Sequence, residues 1–557
     1  MKNILKYIFA AATVVVLASS CLKETLPQTS TVTTAQAAAA PGSFDNFVSA
    51  ITSSMTGQFT YNGNSSTTPW DFGYPSFFLQ RDVMGQDMVC ETGGSEWYTT
   101  WYACGTGLGP DYAVCQLPWT YYYKWIKNCN TVLSLYQADP TEDKESGAGI
   151  AYAMRAMFYM DLARMFSPKT YGEDLSSPTV PLVLETTALT ELPSNARATN
   201  ADMWAHIISD LDNAESLIAN YDRPDKYSPD LSVVYGLKAR AYLTMEDWAN
   251  AEKYAKMAQS GYTLMNAAQY TDQATGFNTP NASWMFALTY KSDDPNILLN
   301  DADSCWGSQM IIEVSESGCG YSSNYVGPKR IDAHLYSTIP DTDFRKMCWV
   351  DFAIDELETE DEVLEALAEY SDSPEGLFNT GYMVSATACV GGMPVKFRPK
   401  DGEHADQYKA FTVAVPLMRV EEMYLIEAEA AGMQDEARGK ALLEAFAQTR
   451  DPEYVYGSHN EAYGNSSTKA FQNECWWQRR VELWGEGLAT FDIKRLNKSV
   501  IRSYAGTNHP EGNRWNTTGV PDWMTLCIVR TETNYNSACE QNPTPIMPTA
   551  DSEEYIF

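Results

Sequence analysis

Trp97, Tyr98, Trp101 and Tyr102 stand close together among Ser, Thr and Gly residues. They belong to a wider run of rings that includes Trp70, Tyr74, Tyr112, Trp119 and Tyr121 to Tyr123. Indole and phenol rings carried on polar loops can cover the flat C–H faces of a sugar, while nearby Asp, Asn or Arg side chains satisfy its hydroxyls. The first candidates for such contacts are therefore Trp97, Tyr98, Trp101 and Tyr102. Trp306, Tyr321 and Tyr325 come next, and Asp71 and Arg81 are the candidate polar partners. Trp119 and Tyr121 to Tyr123 open a helix that continues through Ile126, Val132 and Leu133, which places them in the core.

Bond-breaking chemistry finds little support. The chain has no Gly-x-Ser-x-Gly elbow and no His-Glu-x-x-His, and His206, His334, His404, His459 and His509 stand singly. Its 72 acids always contain some pair suited to glycoside hydrolysis, but sequence does not report the roughly 5–10 Å separation that mechanism needs. Asp301/Asp303 and Asp341/Asp343 do not continue into a calcium-loop pattern. The 12 cysteines include no C-x-x-C pair, so no zinc or thioredoxin-type site is expected. Cys104/Cys115 and Cys305/Cys319 are the bridge candidates, set against buried free thiols. No cofactor is expected.

The N-terminus carries a different chemistry. Lys2 and Lys6 precede the apolar run Ile8 to Leu17, then Ala18-Ser19-Ser20-Cys21. A basic start, a short apolar core and small residues before a cleavage point define a secretory signal. The cysteine after them resembles a lipobox, so Cys21 is the expected lipidation site. Several acyl chains hold a protein on a membrane far more firmly than one. No later segment is apolar enough to span a bilayer. The formal charge of −33 argues against binding nucleic acid or anionic lipid through phosphate neutralisation.

Holding such loops requires a scaffold, and the hydrophobic pattern supplies helices in pairs. Apolar residues at Ala148, Ala151, Met154, Phe158, Leu162 and Met165 make one stripe over 145–166. Thr199 and Asp202 form a capping pattern for a helix through Leu217. Helices follow over 231–245 and 247–260, with Asp247 as cap, Gly261 as stop, and small residues Ala241, Ala251, Ala255 and Ala258 permitting close approach. These pairs are similar to tetratricopeptide units without a clean period. Residues 262–410 read as loops with a few short strands, apart from an acidic helical stretch over 356–370. Helices return over 416–431, 434–448 and 470–484.

The order of the motifs then becomes informative. Arg155 to Phe166, Val180-Pro181-Leu182, Leu237 to Leu243 with Asp247-Trp248, Arg419 to Ala430, and Arg479 to Gly487 with Phe491 to Arg495 follow one another along the chain. As an ordered set they resemble the RagB/SusD family of Bacteroidetes outer-membrane lipoproteins. Two positions depart from that family: Gln478 stands where an acid is usual, and Ala489 where arginine is typical. The charged motif residues, Arg155, Asp161, Arg419, Glu422, Glu429, Arg480, Glu482, Glu486 and Arg495, suit a scaffold of ion pairs between helices. The resemblance implies a mainly α, SusD-like fold with degenerate tetratricopeptide-like helix pairs and loop-rich insertions. It divides the chain into a signal peptide (1–20), a lipidated tether (21–41), an N-terminal helical region with the aromatic insertion (42–261), a loop-rich middle (262–410) and a C-terminal helical region (411–557). It implies a glycan ligand captured at the cell surface, no enzymatic activity, and a SusC-like TonB-dependent transporter as partner. A peptide ligand is the alternative, and a surface glycosidase a more distant one.

Overall fold

The computed structural model describes residues 40, 42–58, 68–91, 96–314, 320–324, 327–385 and 389–557. The chain divides into two units, Met1–Asn46 and Phe47–Phe557, and the second carries everything that follows. Cys21 and Tyr325 lie outside the described residues.

The long helices of this body are α1 (Tyr74–Val83), α2 (Ala113–Ala138), α3 (Glu142–Phe166), α4 (Asn200–Ile218), α5 (Leu231–Met245), α6 (Trp248–Ala258), α7 (Val420–Gln434), α8 (Glu436–Ala447) and α9 (Ala470–Glu482). From α2 to α8 each packs on the next in sequence, which is the helix-pair array that the periodicity predicts. The step from α6 to α7 skips residues 259–419, so the middle of the chain is an insertion into a continuous stack. The caps follow the sequence: Thr199 accepts from the Asp202 amide at 3.1 Å and Asp247 from the Asn250 amide at 3.2 Å. Gly261, with φ +86°, ends the turn after α6 in a conformation that favours glycine. Helices α7 and α8 meet through glycine. A Cβ on Gly439 would lie 2.2 Å from the Gly432 Cα, so neither position has room for a side chain.

Among the described residues, six short strands pair antiparallel in twos. They are β1 (Met88–Val89) with β5 (Arg330–Ile331), β2 (Pro178–Pro181) with β3 (Arg197–Thr199), and β4 (Trp284–Thr289) with β6 (Ala414–Arg419). The last pair corrects the sequence reading, which starts a helix at residue 416. Residues 414–419 are buried throughout and pair with β4. A continuous apolar run buried on both faces reads alike as strand or helix, and Pro416 is tolerated because it sits at a shifted register. The middle region also holds the helix Pro374–Ser385 and several single helical turns, where the sequence suggests loops and strands.

Charged motif residues tie the helices together inside the core. Arg419, between β6 and α7, donates to Glu486 at 2.9 and 2.8 Å, and contacts Glu482 at 3.2 Å and Glu421 at 2.9 Å. Arg450 and Arg345 complete the ring around Glu482. Arg345 draws its other charge from Asp343 at 2.6 Å. Gln478 therefore needs only to accept one further hydrogen bond, at 2.9 Å, and no acid is required there. Arg155 pairs with Asp210 at 2.8 Å, Arg240 with Glu422 at 2.6 Å, Arg480 with Asp87 at 2.6 Å, and Arg495 with Glu429 at 2.6 Å. Buried charges persist only when paired. At Ala489 the backbone amide donates to Asp82 at 3.2 Å, alongside Gly487 at 2.9 Å. Burial still pushes the Asp82 carboxyl up to about 7.

Candidate carbohydrate site

Trp97 is carried by a segment whose neighbours face inward. Glu96 is buried and accepts from the Tyr98 amide at 2.8 Å and from Lys329 Nζ at 3.1 Å. Lys329, also buried, donates to Gln309 Oε1 at 3.1 Å and lies over the Tyr98 ring. One ion pair thus ties together the aromatic segment, the turn Trp306–Met310 and the start of β5. With Glu96 and Tyr98 both anchored below, Trp97 is left outward and 43% exposed.

The second ring comes from more than two hundred residues away. The Tyr321 amide donates to Ser308 Oγ at 2.9 Å and the Gly320 amide to Asp303 Oδ1 at 2.9 Å. Gly320, at φ +94°, leaves no space for a Cβ between Ser323 Oγ and the Phe411 ring. These contacts set Tyr321 edge-on to Trp97, with ring centres 6.1 Å apart and planes at 78°. Tyr321 is half-buried, so both rings of the pair keep open surface. Two residues before the buried Asp303, the exposed Asp301 accepts from the exposed Tyr408 hydroxyl at 3.1 Å. Burial, with Asp301 as a further contributor, pushes the Asp303 carboxyl up to about 6.

The structure therefore joins Trp97 and Tyr321 of the candidates and removes most of the others. Tyr98 is 0% and Trp101 1% exposed. Their rings pack together at 5.4 Å, Trp70 abuts Trp101 edge-on, and the Tyr98 hydroxyl is 3.0 Å from Ser76 Oγ. Tyr102 is buried under Arg502, its hydroxyl 2.5 Å from His509 Nδ1. Trp306 is buried between the edges of Phe78 and Phe397. Asp71 accepts from the Tyr121 hydroxyl, and Arg81 is spent on Asp161 at 3.1 Å and Tyr122 at 3.3 Å. These six are core residues and not display residues. The Ser, Thr and Gly around them mark short helical turns, Thr99–Tyr102 and Thr106–Leu108, where the sequence suggests one open loop. Trp119, Tyr121 and Tyr122 are buried on α2, as expected.

The described thiols are free, and all but Cys389 are buried. Cys104 donates to the Met84 carbonyl and Cys115 to the Cys527 carbonyl, so the expected 104/115 bridge is absent; both are free and buried. Cys305 is also a free, buried thiol, and its suggested partner Cys319 lies outside the described residues. Tyr408 is not among the residues that the sequence singles out, and Asp303 stands out there only as a candidate calcium ligand. The available signal was the density of Asp beside aromatic residues in the middle region.

Comparison with known proteins gives the family. A family model described as "Starch-binding associating with outer membrane" matches residues 91–243, and one described as "SusD family" matches 359–545. Together they take in more than half of the chain. A SusD-like carbohydrate binding protein from Bacteroides vulgatus has a similar fold, with TM-score 0.69, 21% identity, and 89% of this chain and 97% of that one covered. A surface glycan-binding protein A from Bacteroides thetaiotaomicron, solved with laminarihexaose, has TM-score 0.62 and 16% identity over 90% and 98% of the two chains. A laminarin-binding SusD-like protein has TM-score 0.60 and 18% identity over 90% and 98%. No curated protein matches the chain. The two family models and the shared fold define the class: a SusD-like chain, of a family described as associating with the outer membrane. The chain belongs to the SusD/RagB family. Among the described residues, no helix is long and apolar enough to cross a membrane.

Proposed function

We propose that the chain is a cell-surface lipoprotein, anchored through Cys21, that captures glycans on the Trp97–Tyr321 face and delivers them to a SusC-like TonB-dependent transporter. The observation that carries the reading is the exposed Trp97 ring set against Tyr321 on a rigid, buried base. An indole fixed in this way loses little conformational entropy when it covers a sugar face. The laminarin and laminarihexaose in the descriptions of two structural relatives support this ligand class. The carbohydrate-binding descriptions of the same relatives support capture over turnover.

Retardation of the purified chain in gels containing laminarin, starch or galactomannan, with reducing ends measured in the same mixtures, tests the proposal. Retardation without release is expected. Release of reducing ends would make the protein a glycosidase. Absence of retardation by every polysaccharide, together with peptide binding, would turn the reading to peptide capture.

A further inference from the structure

The two stretches that build the ring pair share an unusual charge pattern. No Lys or Arg occurs between Arg81 and Lys124, which contain Trp97, nor between Lys291 and Lys329, which contain Tyr321. Acids are present in both. The inward-facing cation, Lys329, is only 1% exposed at its side chain and is spent on Glu96. Lys409, which adjoins Tyr408, pairs with Asp406 at 2.9 Å.

Asp303 stands beside this platform. It is 9% exposed, and one carboxylate oxygen receives the Gly320 amide, the residue next to Tyr321. That amide is its one hydrogen-bond donor among the described residues. The turn before it is fixed in a form that L-residues rarely adopt, with Asp301 at φ +54° and Ala302 at φ +61°. Backbone strain of this kind persists only where the surroundings hold it. The turn leaves Asp303 buried against the Gly320 amide, next to Tyr321, and Asp301 exposed against the Tyr408 hydroxyl.

Resting on the glycan reading above, we infer that this site discriminates by charge: it takes neutral glycans, through stacking on Trp97 and Tyr321 and hydroxyl donation to Asp303, and rejects glycans bearing carboxylate or sulfate groups. Hydroxyls donate strong hydrogen bonds to an ionised carboxylate. A fixed anion on the ligand meets Asp303 and Asp301 with no free cation on either building stretch to offset them. Like charges at close range in this setting weaken binding by about 3- to 10-fold each at low salt, and salt screens the effect.

Each neutral polysaccharide that retards the chain is titrated against its own sulfated derivative, at low and high salt, with the wild-type full chain and with Asp303→Asn. The expected result is binding of the sulfated form at least ~10-fold weaker at low salt. The gap should narrow as salt rises and narrow again in Asp303→Asn. Equal or tighter binding of the sulfated form overturns the inference, as does a gap that salt leaves unchanged, since steric exclusion does not respond to screening. A gap that Asp303→Asn leaves unchanged overturns it too, since the net charge of −33 then accounts for it without the site. If alginate or heparin binds where no neutral polysaccharide does, the charge inference fails and the glycan reading stands. If no polysaccharide binds, both fall.

Discussion

Trp97 and Trp101 lie four positions apart and should behave oppositely when each is cut to alanine. Trp97 leaves 43% of its surface open. For a ring of this size that is about 100 Å² available to a ligand, worth at most ~2.5 kcal/mol at ~25 cal/mol/Å². Trp97→Ala should therefore weaken glycan affinity by ~1–2.5 kcal/mol, roughly 5- to 70-fold. Trp101 is 1% exposed, wedged between Tyr98 and Trp70, and its removal leaves a cavity costing ~3–5 kcal/mol. Unfolding entropy of ~2.1 cal/mol/K per residue makes each kcal/mol worth about 1 °C in a body of this length. Trp101→Ala should then lower Tm by ~3–5 °C, and Trp97→Ala by at most a degree or two. Calorimetric titration of both variants with the polysaccharide that retards the wild type, beside scanning calorimetry, decides the matter. Unchanged affinity in a natively melting Trp97→Ala would refute the placement of the site. A large loss of Tm in Trp97→Ala would show that its ring is packing material despite its exposure.

Arg419→Met leaves Glu421, Glu482 and Glu486 short of a buried cation and should cost ~3–5 kcal/mol, read as a Tm drop of ~3–5 °C. Arg530→Ala breaks an exposed pair with Asp111 and should leave Tm where it was. Asp161, Glu482 and Asp492 are held below the usual carboxylate range by their arginine partners, against the opposing effect of burial. Their contribution to stability is complete above the unfolded values near ~4 and is lost as pH falls through the folded ones, so melting temperature should fall steeply only below about pH 4. Asp82, with its carboxyl raised to about 7 mainly by burial, works the other way. It favours the folded state as pH falls from about 7 towards ~4, and Asp82→Asn should flatten that part of the stability–pH curve. Cys21→Ala should release the protein from the outer membrane and abolish palmitate labelling; an alanine variant that stays exposed on the membrane would show another anchor.

The helical array was legible because its signals are local. Apolar spacing, a Thr cap with Asp three residues on, and a glycine stop each act within a turn or two of chain, and α3 to α6 follow them closely. The ion-pair scaffold was legible through residue type, since arginine and glutamate on buried helix faces have to be paired. Two features escaped for the same reason in opposite directions. Residues 414–419 are a strand because β4 accepts them, and Tyr98, Trp101 and Tyr102 are core because Ser76, Trp70 and His509 receive them. In each case the partner is distant in sequence, and local composition does not report it.

The same distance explains why the proposed site reduces to one predicted first-rank ring and one second-rank ring. In the segment 96–98 the side chains alternate in, out, in, and the pattern is set by Lys329, which takes Glu96, and by Ser76, which takes the Tyr98 hydroxyl. Exposure of Trp97 follows from the satisfaction of its neighbours. Tyr321 then reaches it because Ser308 and Asp303 fix the backbone at 320–321. Both anchors act through buried polar groups, whose loss leaves an unsatisfied partner in the core. Ring geometry at the surface is therefore coupled to polar pairing beneath it. Substitutions at Glu96 or Lys329, both buried, should weaken glycan affinity in calorimetric titration through the orientation of Trp97.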